Sequence, residues 1–230
     1  MSRVRRTINN WFKLFGFEIV RYEKEKALAI NNSILHNSRE KINEFYSRED
    51  FFDTYIGQSR IDFYKTVVEL ISSRHIDLSG NSVVDVGCGT GHLLHFVHEK
   101  LGFNKGTGLE YSSEAIKIAK KMFPAFEFYE YDVNNSWPKK YDFVLCTEVL
   151  EHLLHPETAI NNIKNMMAKE ATVLITVPNG RWDTFMGHIN FWSPESWDVF
   201  IKTNFKGFNI ETGTIQNSEV NFALIQQREK

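Results

Sequence analysis

Val83-Val84-Asp85-Val86-Gly87-Cys88-Gly89-Thr90-Gly91-His92 is the stretch that decides how this chain folds. Its β-branched opening predicts a buried strand over 82–87. Three glycines at alternate positions follow, and a helix from Gly91 to about Leu101 starts at once. Glycine is required at such a junction because the chain must turn sharply and the bare backbone must come within contact distance of a ligand. The turn lies at the carboxyl end of the first strand, where open α/β sheets bind their ligands.

Outward from this loop, strands and helices alternate. Strands are predicted near 106–110, 126–131, 141–146 and 171–177, and helices over Ser112–Met122 and Pro156 to about Ala168. A further helix begins at Ser193-Pro194. Pro156 suits a first helical position, where its missing N–H costs nothing, and Ser193 suits a cap. Two last strands, near 206–215 and 219–227, are close enough to pair as an antiparallel hairpin. Alternation of this kind implies right-handed crossovers and a parallel sheet.

Residues 1 to about 80 read as mostly helical. Phe52, Tyr55, Ile56, Phe63, Tyr64, Val67, Val68 and Ile71 mark one buried helix face. We therefore divide the chain into a helical extension, 1–50, and an α/β domain, 51–230. Within the extension, Val4, Ile8, Trp11, Phe12 and Phe15 line one face, while Arg3, Arg5, Arg6 and Lys13 make residues 1–15 basic. Two uses compete for that segment: peripheral contact with an anionic membrane or a partner, or cover for the core or a homodimer interface.

The whole chain has 230 residues, 42% hydrophobic and 24% charged, with a formal charge of −2. That is enough for one good core, and the balance gives no electrostatic reason to expect a nucleic-acid partner. Two cysteines exclude a disulfide scaffold. No apolar run approaches the roughly 18 residues that span a bilayer, so the default expectation is a soluble, cytoplasmic protein.

Two acids give the glycine loop its context. Glu110 ends the second strand, placed to accept hydrogen bonds from both hydroxyls of a ribose, and Asp132 ends the third, placed to accept from an adenine amino group. Hydrogen bonds to a charged group are worth roughly 1.5–3 kcal/mol each. The D-x-G-x-G-x-G loop with these two acids resembles the class I S-adenosylmethionine-dependent methyltransferases, over roughly residues 52 to 227. The resemblance implies a Rossmann-like seven-stranded mixed sheet, order 3-2-1-4-5-7-6 with the last strand antiparallel and helices on both faces. It also implies S-adenosyl-L-methionine as cofactor, with S-adenosyl-L-homocysteine as product. The cofactor-binding residues it points to are Asp85, Gly87, Cys88, Gly89, Gly91, Glu110, Tyr111, Asp132, Val133 and Cys146. Tyr55 and Arg60 resemble an N-terminal segment that folds over the cofactor carboxylate. A nicotinamide-dependent dehydrogenase would need G-x-G-x-x-G, whereas this chain has His92 after Gly91.

After the fourth strand, Glu148-Val149-Leu150-Glu151-His152-Leu153 is similar to a segment of the small-molecule branch that includes ubiquinone-biosynthesis and sugar methyltransferases. There the matching histidine lies beside the acceptor and serves as base, so His152, His188 and Glu148 are the candidate catalytic residues. The alternative is that His152 only caps a turn or anchors Glu148. Between the fifth strand and the next helix, Asn179-Gly180-Arg181-Trp182 and Gly187-His188-Ile189-Asn190-Phe191-Trp192 resemble a loop that closes over the acceptor, which nominates Arg181, Asn190 and Trp192 for substrate binding. No metal is expected, because no ligand set stands at metal spacing after the fourth strand. The expected acceptor is a small molecule: first a sugar, sugar nucleotide or phosphorylated intermediate of surface-polysaccharide synthesis, second a quinone or lipid-like compound. A non-catalytic cofactor-binding subunit is the third reading.

Overall fold

Two helices precede the sheet in the computed structural model, which describes residues 37–48 and 56–227. They are α1 (Arg39–Tyr46) and α2 (Gln58–Ser73). There follow β1 (Ser82–Val86), α3 (His92–Leu101), β2 (Lys105–Glu110), α4 (Ser113–Met122), β3 (Glu127–Glu130) and β4 (Tyr141–Thr147). A 3-10 turn, Leu150–His152, leads into α5 (Pro156–Met166), β5 (Met167–Pro178), α6 (Pro194–Asn204), β6 (Phe208–Ile215) and β7 (Val220–Gln227). Residues 1–15 and Tyr55 lie outside the described residues.

The strands form one sheet in the order β3-β2-β1-β4-β5-β7-β6. The first five run parallel, and β7 is antiparallel to both β5 and β6. This is the mixed Rossmann-like sheet that the alternating pattern and the resemblance imply. Both faces are covered, which is why the central strands read as almost unbroken apolar runs. Val84, Val144, Val173 and Ile175 pack on one side against Ile160, Ile163 and Trp197 of α5 and α6. Val83, Phe143, Leu145 and Leu174 pack on the other against Val67, Ile71, Leu94 and Val97 of α2 and α3. Each such side chain contributes about 1.5–3 kcal/mol on burial. The fully buried Trp197 satisfies its one polar atom by donating from Nε1 to the Phe222 carbonyl at 3.0 Å.

The helix caps follow the sequence. Ser112 and Ser193 accept from the backbone N–H three residues on, at the starts of α4 and α6. One boundary differs from expectation. α5 ends at Met166 and β5 begins at once, pairing Met167 with Tyr141 before a register shift places Thr172 opposite Phe143. Glu170, with φ +66°, lies in the irregular part of the strand. A bulge of this kind has no periodicity signal of its own.

α1 docks on α4: Tyr46 packs with Ala115, and the Ser112 hydroxyl donates to Asn43 Oδ1 at 2.6 Å. The helix thereby lies across the carboxyl ends of the strands. Among the described residues, no helix is long and apolar enough to cross a membrane.

Candidate active site

A cleft of about 1090 Å³ opens at the carboxyl ends of β1, β2 and β4, with α1 along one rim. Its first half is built by the glycine loop. Gly87, Gly89 and Gly91 all take left-handed φ values, +78°, +51° and +80°. At Gly87 a Cβ would fall 2.2 Å from Val149 Cγ2, so this position needs glycine for space as well as for conformation. The loop is held by bonds from the Gly87 and Cys88 N–H groups to the Leu109 carbonyl, at 2.7 and 3.1 Å.

Glu110 ties the loop to the tip of β2. Its Oε2 accepts from the Gly89 N–H at 3.0 Å and its Oε1 from the Ser112 N–H at 2.8 Å. A carboxylate offers about four lone-pair sites, more than these backbone donors occupy, so acceptor capacity remains for ligand hydroxyls. Burial raises the Glu110 pKa in spite of the backbone donors that pull it down. Beneath the loop, Asp85 is buried with Oδ1 unpartnered, and burial, helped by the charge of Glu110, lifts its pKa to about 7. Tyr111, Asp132 and Val133 line the wall beyond Glu110. Asp132 Oδ1 accepts from the backbone and side-chain N–H groups of Asn134, both at 2.9 Å, which fixes the carboxylate at the tip of β3. Arg39 of α1 lies over the Tyr111 ring, 4.3 Å from its centroid, and pairs with Glu130. Two acids and a bare backbone loop, with Glu110 and Asp132 both on the cleft wall, fit an adenosine-bearing ligand.

The second half is assembled from separate segments. The 3-10 turn after β4 carries Glu151 and His152, and the loop after β5 carries His188. The Ile189 and Asn190 N–H groups donate to the Glu151 carbonyl at 2.9 and 3.0 Å, and Asn190 Nδ2 donates to the Leu150 and Leu153 carbonyls. The two segments are thus laced together, and the His152 and His188 rings stand 4.6 Å apart, edge to face. His152 Nδ1 lies 3.1 Å from both the Gly187 carbonyl and Asn37 Oδ1, while Asn37 Nδ2 donates to the His152 and Gly187 carbonyls. His188 Nδ1 lies 2.6 Å from Asp183 Oδ2. At Nδ1 each ring meets acceptor oxygens, and at Nε2 each faces Glu151 Oε1, 3.7 Å from His152 and 3.8 Å from His188. Burial, and next the neighbouring His188, lower the His152 pKa to about 4, so this imidazole is neutral at neutral pH.

Two carboxylates lie under the histidines. Glu148 follows directly on β4 with φ +56°, a left-handed conformation that non-glycine residues adopt where surrounding structure holds them. It accepts from the Thr176 hydroxyl at 3.0 Å, and burial raises its pKa to about 7 against the opposing pull of Arg60. Glu151 is fully buried, both of its oxygens lack a hydrogen-bond partner among the described residues, and burial raises its pKa well above the usual range.

Of the residues nominated from sequence, Gly87, Glu110, Tyr111, Asp132, Val133, Glu148, His152, His188 and Arg60 line the cleft. Arg60 faces the glutamate and histidine half. Gly89, Gly91 and Asp85 form the loop and the floor beneath it. Cys88 and Cys146 are buried free thiols off the lining, and burial pushes both pKa values up, so they are packing groups. The three residues nominated for substrate binding do not reach the cleft. Arg181 pairs with Glu195 at 2.5 Å on the surface, Trp192 packs against Trp197 and Phe200, and Asn190 spends its amide on the backbone bonds that lace the loop. Sequence reading missed Asn37 and Asp183, and it did not place Glu151 between the two histidines, which meet only through the fold.

A family model described as methyltransferase domain matches residues 57–212. The 235L protein of Invertebrate iridescent virus 6 is 29% identical over 98 residues, which is 42% of this chain and 37% of that one. The ubiquinone biosynthesis O-methyltransferase of Azoarcus sp. is 24% identical over 119 residues, 49% of this chain and 50% of that one. The chain thus spans half or less of the length of these relatives. Among solved structures, the N-methyltransferase NodS from Bradyrhizobium japonicum, in complex with S-adenosyl-L-homocysteine, shares the fold with a TM-score of 0.65 at 16% identity. That match covers 84% of this chain and all of NodS.

Proposed function

We propose a function from one premise: the chain belongs to the methyltransferase domain family, and its cofactor is S-adenosylmethionine. On our reading it transfers a methyl group to an oxygen of a small hydroxylated acceptor. When bound, the cofactor's sulfonium supplies an electrophilic methyl carbon. Glu110 would receive the ribose hydroxyls and Asp132 the adenine amino group, while the glycine loop gives the methionine end bare backbone to lie against. An acceptor hydroxyl must lose its proton to become a nucleophile, and a positioned base contributes on the order of 10²–10⁴ in rate.

The observation that carries this reading is the pair of half-buried, Nδ1-anchored imidazoles on the cleft wall, with Asp183 behind His188. Anchoring fixes both rings, so alignment is prepared before the acceptor arrives. Lys41, paired with Glu44, and Arg48 and Arg60 line the cleft among its carboxylates, and an acceptor bearing phosphate, such as a sugar nucleotide or phosphorylated sugar, would draw on these cations. A quinone-like acceptor is the second reading, supported by the exposed apolar side chains of Leu154 and Phe185 on the same lining.

Calorimetry with S-adenosyl-L-homocysteine should give roughly micromolar affinity, near −8 kcal/mol. Methyl transfer from labelled cofactor into pooled metabolites, followed by partition between water and organic solvent, separates the two acceptor classes. Tight NADH binding in place of S-adenosyl-L-homocysteine would overturn the reading.

A further inference from the structure

Asn37 reaches the histidine half from outside the domain that the family model matches, which begins at residue 57. We propose that Asn37 is a positioning residue for methyl transfer. It acts on the acceptor through His152, holding that ring's proton on Nδ1 and locking the turn after β4 to the loop after β5. The inference rests on the methyl-transfer reading for what the ring then does, whereas the hold on the ring stands on geometry.

That geometry begins at the start of α1. Ser38 caps the helix by accepting from the Lys41 N–H, and the helix is fixed on α4 through the bond from Ser112 to Asn43. Asn37, one residue before the cap, is thus carried to the histidine turn on a fixed support. Its Nδ2 donates to the His152 carbonyl at 3.1 Å and to the Gly187 carbonyl at 2.8 Å. Carbonyl oxygens only accept, so the amide has one orientation, and Oδ1 is the atom that meets His152 Nδ1, at 3.1 Å. The Gly187 carbonyl, at the same distance from that nitrogen, also only accepts. Two acceptors place the ring proton on Nδ1, and a neutral imidazole then keeps its lone pair on Nε2. Glu151 Oε1 stands 3.7 Å from Nε2, too far for a hydrogen bond to occupy it.

The same bonds set the wall that an acceptor meets. The His188 ring stands 4.6 Å from that of His152 and 4.8 Å from that of Phe185. Phe185 and His188 belong to the loop after β5 and His152 to the turn after β4. Freeing the Gly187 carbonyl would therefore loosen one side of the wall against the other. A misplacement of about 1 Å costs roughly a hundredfold in rate.

The test uses the full chain with ¹⁵N-labelled histidine, as wild type, Asn37→Ala and Asn37→Asp, each with S-adenosyl-L-homocysteine bound. Loss of one ring signal in His152→Gln assigns the ring. In wild type the His152 proton should sit on Nδ1 alone, and in Asn37→Ala it should exchange between the two nitrogens. Asn37→Asp keeps an acceptor at Nδ1 and loses the two donors, so the proton should stay on Nδ1. Methyl transfer from labelled cofactor into pooled metabolites should fall about tenfold in the alanine form and recover in part in the aspartate form. Unchanged affinity for S-adenosyl-L-homocysteine shows that both variants are folded. In active protein, an alanine form with the wild-type ring pattern, or the wild-type rate, or a rate loss mirrored in cofactor affinity, would overturn the assignment. Wild type that binds S-adenosyl-L-homocysteine yet methylates nothing in the pool would instead strike the methyl-transfer reading, and an altered ring in Asn37→Ala would still support the hold on His152.

Discussion

The two halves of the cleft are built by opposite strategies. The donor half is local: a strand, three glycines and two acids at successive strand tips, with Glu110 bonded to the loop it faces. The histidine half is a composite of Asn37, the turn after β4 and the loop after β5, held by side chain-to-carbonyl bonds that bridge long stretches of sequence. One half reuses a strand-end device suited to a fixed ligand, whereas the other can be rebuilt by changing loops. The lesson is that donor identity is written in short-range pattern and acceptor identity in tertiary contacts.

Four variants sharpen or break that contrast. The largest effect is expected from His188→Ala, which should lower methyl transfer by about 10²–10⁴ while leaving S-adenosyl-L-homocysteine affinity unchanged in calorimetry. A matching loss of cofactor affinity would show that the halves are one unit. Asp85→Asn probes the floor of the donor half. With a folded pKa of about 7 against an ordinary 3.8, protonated Asp85 supports stability fully below about pH 4, and that support is lost as pH rises through 7. Chemical denaturation of wild type without cofactor should therefore weaken by about 4 kcal/mol between those limits from this group alone. The asparagine variant should lack that slope.

Glu110→Ala follows, with cofactor binding weaker by about 3 kcal/mol, on the order of 100-fold, through the loss of two charged hydrogen bonds. Its failure to weaken binding would remove the ribose assignment. Asn37→Ala should cost least, about 1 kcal/mol of stability in urea, because each bond to the His152 and Gly187 carbonyls contributes little net of water. Its activity should fall more than its cofactor affinity, since its bonds lie in the histidine half.

The donor half was legible from the chain alone because each of its residues sits at a strand end, and strand ends follow from alternation and glycine. The strand order came through the resemblance and formed as expected. The histidine half was legible only in part. His152 and His188 stood out as residue types, but nothing in the spacing along the chain brings Glu151 between them. Arg181, Asn190 and Trp192 belong to the right loop, yet their side chains turn to Glu195, to backbone carbonyls and to Trp197. Loop side-chain direction is a tertiary property with no periodic signature. Asn37 had no signal at all.

The start of α1 leans on both halves, through Arg39 on Tyr111 and, two residues earlier, Asn37 on the histidine turn. A ligand that steadies this helix from either side lowers the ordering cost met by the second. Reciprocity then requires that any factor by which donor loading tightens acceptor capture equal the factor by which acceptor tightens donor retention.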